Sequence, residues 1–120
     1  MYNHKIRKIT AAGVVTTIAG SGAGGSSEGA GASASFLYPT GIAIDTYGVV
    51  YVADTYNQKI RKITAAGVVS TIAGSGSQGS RDGDGANASF LYPKAVAVDA
   101  SGTLYVADTN NHKIRKITPQ

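Results

Sequence analysis

The chain has only two histidines, His4 and His112, and both stand at the same place in a recurring Asn-x-Lys-Ile-Arg-Lys-Ile-Thr segment. The middle copy of that segment carries Gln58 instead. A metal or general-base role needs convergent imidazole, thiolate or carboxylate partners. A position that alternates with glutamine and has no such partner nearby in sequence is better read as a solvated hairpin turn. Asp82-Gly83-Asp84-Gly85 alternates carboxylates with glycine as calcium loops do. The further oxygen ligands and closing bidentate glutamate of such a loop are missing, and the equivalent earlier stretch is Glu28-Gly29-Ala30-Gly31. A flexible loop is the expectation there. Nine of the eleven basic residues lie in three segments, Lys5/Arg7/Lys8, Lys59/Arg61/Lys62 and Lys113/Arg115/Lys116. They could contact phosphates, yet no aromatic residues interleave with them for base stacking. Asn87-Ala88-Ser89 fits a glycan acceptor where the context is secretory. No Ser-His-Asp set, Walker loop or cysteine is present. The sequence therefore specifies no catalytic residue, metal ligand or cofactor site, and the expectation is a non-enzyme.

These candidates recur because the chain repeats. Residues 2–55 align without a gap on residues 56–109, an offset of 54 with 38 identical positions, and residues 110–120 begin a third copy. Such periodicity marks solenoids, propellers and arrays, in which one unit cannot bury its own apolar face. Counting Lys and Arg against Asp and Glu, repeat 2–55 sums to 0 (3 − 3), repeat 56–109 to +1 (5 − 4) and the remainder to +3, which accounts for the net +4. The basic balance is therefore not spread over the repeats, and nucleic acid is not the expected partner. No apolar run approaches the ~20 residues that span a bilayer, so no membrane partner is expected. Met1 leads directly into repeat sequence, so these residues show no secretory leader. Nothing assigns a compartment, and the absence of cysteine excludes disulfide staples without fixing the redox environment.

One period reads as four short strands. Gly41 to Ile44 and Ala95 to Val98 alternate small and β-branched residues, as expected for an inner strand. Asp99-Ala100-Ser101-Gly102 is a glycine-closed hairpin turn. Thr103 to Ala107 is the second strand, and Asp108-Thr109-Asn110-Asn111 is the next turn. Lys113 to Thr118 is too short between turn signals for a stable helix and reads as a third strand. Val68 to Ala73 follows as the fourth. Because the third strand carries most charge, it is expected to lie toward a solvated outer edge. The long connection Gly74 to Lys94 is the first place to expect binding. Phe36, Leu37, Phe90 and Leu91, at the ends of these connections, are expected between neighbouring units, together with Ile6, Ile9, Val14, Ile18, Val96, Val98, Leu104 and Val106.

The order of motifs in Pro39 to Asp45, Tyr51 to Thr55, Asn57 and Lys59 to Ile63, and again in Pro93 to Asp99, Tyr105 to Thr109, Asn111 and Lys113 to Ile117, resembles the NHL-repeat family. It is similar to the bacterial subgroup whose repeats are lengthened by a Gly/Asp-rich loop. The resemblance implies an all-β β-propeller with one four-stranded antiparallel blade per repeat, commonly six to a ring and used for binding. It brings no shared catalytic set.

The expected architecture is one propeller segment over residues 1–120, with about two blades per chain. Propellers close with about four to eight blades, so a ring requires further copies. The two open faces differ, and association is therefore head-to-tail. A homotrimer of six blades is the first expectation, with a tetramer or filament second. Third strands occur at both ends of the chain, and the closing blade has room for one of them. Lys113 to Thr118 is expected to keep it, with Val14 to Ala19 of a neighbour completing the blade and residues 1–10 displaced. The function expected is a scaffold or binding module whose protein or glycan ligand is unassigned. An RNA-binding ring using the basic strands is the alternative, and carbohydrate or calcium binding by the Gly/Asp loops is a weaker one.

Overall fold

A computed structural model describes residues 3–119. Among these, all regular structure is strand apart from two single 3-10 turns, Thr55–Asn57 and Thr109–Asn111. The strands are β1 (Ile6–Ile9), β2 (Val15–Ala19), β3 (Gly29–Ala30), β4 (Gly41–Ile44), β5 (Val50–Asp54), β6 (Lys59–Ile63), β7 (Val68–Ala73), β8 (Pro93–Val98), β9 (Leu104–Asp108) and β10 (Lys113–Ile117). They form three antiparallel sheets in the orders β1-β2, β3-β7-β6-β5-β4 and β10-β9-β8. The central sheet is a complete blade. It is flanked by the outer two strands of one blade and the inner three of another. β3, part of the long connection, adds a short fifth strand outside β7, a pairing that nothing in the sequence reading anticipated.

Each turn has a local chemical cause. Asp45 Oδ1 accepts from the amides of Tyr47 and Val49 at 2.8 and 3.0 Å, and Gly48 closes the hairpin at φ +84°. Asp99 and Gly102 repeat this arrangement one period later. The β6–β7 turn is held by the Thr64 hydroxyl, which accepts from the Val68 amide at 3.1 Å. A register shift between Ile60 and Arg61, matched between Ile6 and Arg7, re-aims the third strand at its charged middle.

Side-chain alternation sends each blade's apolar residues to two interfaces. One core joins Ile6 and Ala19 of the first partial blade to Phe36, Val50, Val52, Ile63 and Val69. The other joins Ile60 and Ala73 of the complete blade to Phe90, Val96, Leu104 and Val106. Ile18 and Val98 pack at their edges, while Leu37 and Leu91 are half-buried.

Two expectations are corrected. Ile9 and Val14 are 70% and 56% exposed. Ile9 faces away from the chain, and the position of Val14 is a hairpin flank, since its counterpart Val68 is also exposed in the complete blade. Ile6, Val96, Leu104 and Val106, expected between neighbouring units, are buried in the two inter-blade cores within the chain. The open apolar surface is instead Ile42, Ile44, Val15 and Ile114. β4 in particular faces a partial blade that lacks inner strands. In the single chain Ile6–Ile9 pair with β2; the displacement expected of residues 1–10 concerns the closing blade of a ring.

Candidate binding rim and the ion pairs beneath it

Arg61, in the middle of the third strand, is fully buried, against the expected solvated edge. It donates to Asp54 Oδ2 at 2.8 Å, and both side chains are 0% exposed. Asp54 ends β5, where the 3-10 turn and left-handed Gln58 (φ +60°) fold the chain back and bring Arg61 beside it. Its carboxylate also accepts from the Leu37 amide at 2.8 Å and Asn57 Nδ2 at 2.7 Å. Burial pushes the Asp54 carboxyl above its ordinary range, while Asn57, the Leu37 amide and Arg61 pull the other way. The rest of the guanidinium reaches the carbonyls of Ser35 and Ser27 at 3.0 and 2.9 Å and lies over the Phe36 ring. One buried cation thus ties the third strand to two points of the long connection, Ser27 and Ser35.

Arg115 does the same with Asp108 at 2.7 Å, and Asn111 repeats the role of Asn57. Its outer edge adds Asp82, whose carboxylate accepts from Nη2 at 2.7 Å and Nε at 3.2 Å. Glu28 stands at that place in the first repeat, and Arg61 Nε is buried there without a partner among the described residues. The signal for these pairs was present as Asp-x-x-Asn-x-x-x-Arg at 54/57/61 and again at 108/111/115. It was missed because charge in a strand was read as exposure.

Above the ion pairs lies a rim formed by the second-to-third-strand turns and the entries to the inner strands. His4, Gln58 and His112 all adopt left-handed geometry. His4 is not a solvated turn residue: its Nδ1 accepts from the Tyr38 amide at 3.0 Å, and Gln58 Oε1 accepts equivalently from Tyr92 at 2.6 Å. Each therefore joins one blade to the next. His112, lacking a following blade, is exposed. A run of rings follows the rim, with centroids 4.7 Å apart for His4–Tyr38, 4.7 Å for Tyr38–Tyr56 and 5.2 Å for Tyr56–Tyr92. We expect His4→Gln to leave stability unchanged, because Gln58 makes the same link. His4→Ala should lose about 1 kcal/mol, the worth of one hydrogen bond, in urea unfolding.

The other candidates are not brought together. Among the described residues no group of three or more His, Asp or Glu could hold a metal ion. Asp82 is engaged by Arg115, and the Asp84 carbonyl accepts from the amides of Asn87 and Ala88. The 74–94 connection is thereby ordered rather than a free loop, and Asn87 is exposed on it. Lys5 and Lys8 are exposed and Lys59 and Lys62 half-buried, but Arg61 and Arg115 turn inward, which removes them from any phosphate-contacting set. A groove of about 1200 Å³ lies between β7 and the outer edge of β10, bordered by residues 82–86, Phe90 and Leu104.

Comparison with known proteins agrees with this geometry. The family model described as the teneurin NHL domain matches residues 21–83, and that described as the NHL repeat matches 90–117. The chain belongs to the NHL-repeat family. NHL repeat-containing protein 2 of Gallus gallus is 37% identical over 95 residues, covering 76% of this chain and 13% of that protein. A structural genomics protein of unknown function from Bacteroides thetaiotaomicron superposes with a TM-score of 0.88 at 30% identity, over 95% of this chain and 30% of that one. An auxiliary nutrient binding protein from Bacteroides ovatus gives 0.82 at 26% identity, over 98% of this chain and 33% of that one. This NHL segment thus spans a small part of the proteins it matches, and its blades are propeller blades.

Proposed function

We propose that this NHL segment is a non-enzymatic binding and scaffold module whose copies join head-to-tail into a larger propeller. The observation that carries the reading is a single empty place in a repeated core. The second inter-blade core repeats most of the first, with Ile60 for Ile6, Ala73 for Ala19, Phe90 for Phe36, Leu104 for Val50 and Val106 for Val52, and adds Ala53 and Val96. Ala88, the counterpart of Ala34, is buried but outside that core, no described residue stands in the place of Val69, and Ile117 is half-exposed where Ile63 is 2% exposed. The residue one repeat before Val69 is Val15, 46% exposed at the opposite end of the chain. A second copy can therefore supply what the first lacks.

The assembled rim would carry its tyrosines at each blade, offering a ring of apolar faces with polar tips, the character of surfaces that bind ligands with one dry and one wet side. Likeness to an auxiliary nutrient binding protein supports a binding role. Sedimentation of the intact 12.2 kDa chain at micromolar concentration tests the reading. A sharp species of three chains, six blades, is expected. A single-chain mass at every concentration would overturn it.

A further inference from the structure

Resting on that head-to-tail reading, we infer that copies join by strand exchange: β10 of one chain takes the place of β1 beside β2 of the next. Residues 3–10 and 111–118 have the same sequence, Asn-His-Lys-Ile-Arg-Lys-Ile-Thr, whereas the middle segment differs from both at Gln58. In the single chain β2 already pairs with one of these segments, Ile6 opposite Ala19 and Ile9 opposite Val15. The complete blade pairs its third and fourth strands in that same register, including the shift after the first isoleucine. β10 meets every requirement of β2's partner, and its outer edge is unpaired. The 1200 Å³ groove beside that edge is where a fourth strand would lie. Gly83 and Asp84, on its far wall, stand one repeat after Gly29 and Ala30, which pair with the outer edge of β7.

The two copies of the third strand are not held equally. In β10, Arg115 is anchored by Asp108, Asp82 and the carbonyls of Ser89 and Arg81. In β1, Arg7 is exposed, makes no ion pair among the described residues, and only Ile6 of the strand is buried. β10 offers its edge without moving, while seating β1 against a neighbour's β9 would first require tearing β10 out. Exchange therefore expels β1. After it, Ile114, 75% exposed in the single chain, occupies the place of the neighbour's Ile6, and His112 replaces His4 under the Tyr38 amide without a change of residue type.

Hydrogen exchange on the assembled fraction of the intact chain reads the exchange directly. Amides of residues 7–9 are expected to lose the protection they have in the single chain, and those of residues 115–117 to gain it. The reverse pattern, or protection of both segments, would overturn strand exchange while leaving head-to-tail assembly standing. A second variant guards the result: Ile6→Asp places a charge on the strand to be expelled. Because Ile6 is buried in the single chain, the charge destabilises only the unassembled form, so the variant is expected to associate at least as tightly as the intact chain. Loss of assembly in Ile6→Asp would show that β1 stays seated and sink the inference. An intact chain that never associates would remove both this inference and the reading beneath it.

Discussion

Asp54→Ala is expected to remove a large share of the chain's stability. The substitution leaves Arg61 as a fully buried cation with no carboxylate partner, held by the Ser35, Ser27 and Ser26 carbonyls, and removes the acceptor that the Leu37 amide and Asn57 share. Breaking one side of a buried pair costs about 3–5 kcal/mol, against a total stability of roughly 5–15 kcal/mol for a domain. Removal of both charged partners by a matched apolar pair would cost much less, because the expense lies in the orphaned charge rather than in the lost attraction. Urea unfolding checks this by comparison with Asp45→Ala, which unties only a surface hairpin and should shift the midpoint far less. A similar small shift for Asp54→Ala would contradict the view that buried ion pairs pin the long connections to the blades.

That contrast shows where the sequence was legible. Strand alternation, glycine-closed turns at Gly48 and Gly102, and the 54-residue offset were enough to place one complete blade between two partial ones. Local rules govern those features, and local rules can be read along a chain. Arg61 was misread because its environment is assembled from residues 26 and 34 positions away. No window of periodicity reports that a cation in a strand meets two carbonyls of a distant loop. His4 failed in the same way: its partner, the Tyr38 amide, belongs to the next blade. The exposed faces were misassigned for a topological reason. A partial blade leaves open the residues of its complete neighbour, Ile42 and Ile44, as well as residues of the partial blades themselves, Val15 and Ile114.

The long connections shift in meaning accordingly. They are bound along their length by Arg61 and Arg115, and a two-residue piece pairs with β7. They act as braces across the outer edge of each blade before they act as binding loops.

The central claim is that each copy has one donor strand and one acceptor groove, and two surface substitutions address them separately. Val15→Asp damages the donor and Ile114→Asp the acceptor edge. Both side chains are exposed in the single chain, so neither change removes buried packing within it. Burying an unpaired carboxylate in an apolar junction costs several kcal/mol, enough to abolish each ring. Native mass spectrometry of the two variants, alone and mixed in equal amounts, gives the most direct test. Each alone should be a single chain. The mixture should give only a one-to-one pair, because the intact β2 of the Ile114→Asp chain can enter the intact groove of the Val15→Asp chain and no further junction can form. Rings or self-pairs from either variant alone, or a mixture that stays monomeric while the intact chain assembles, would contradict the account.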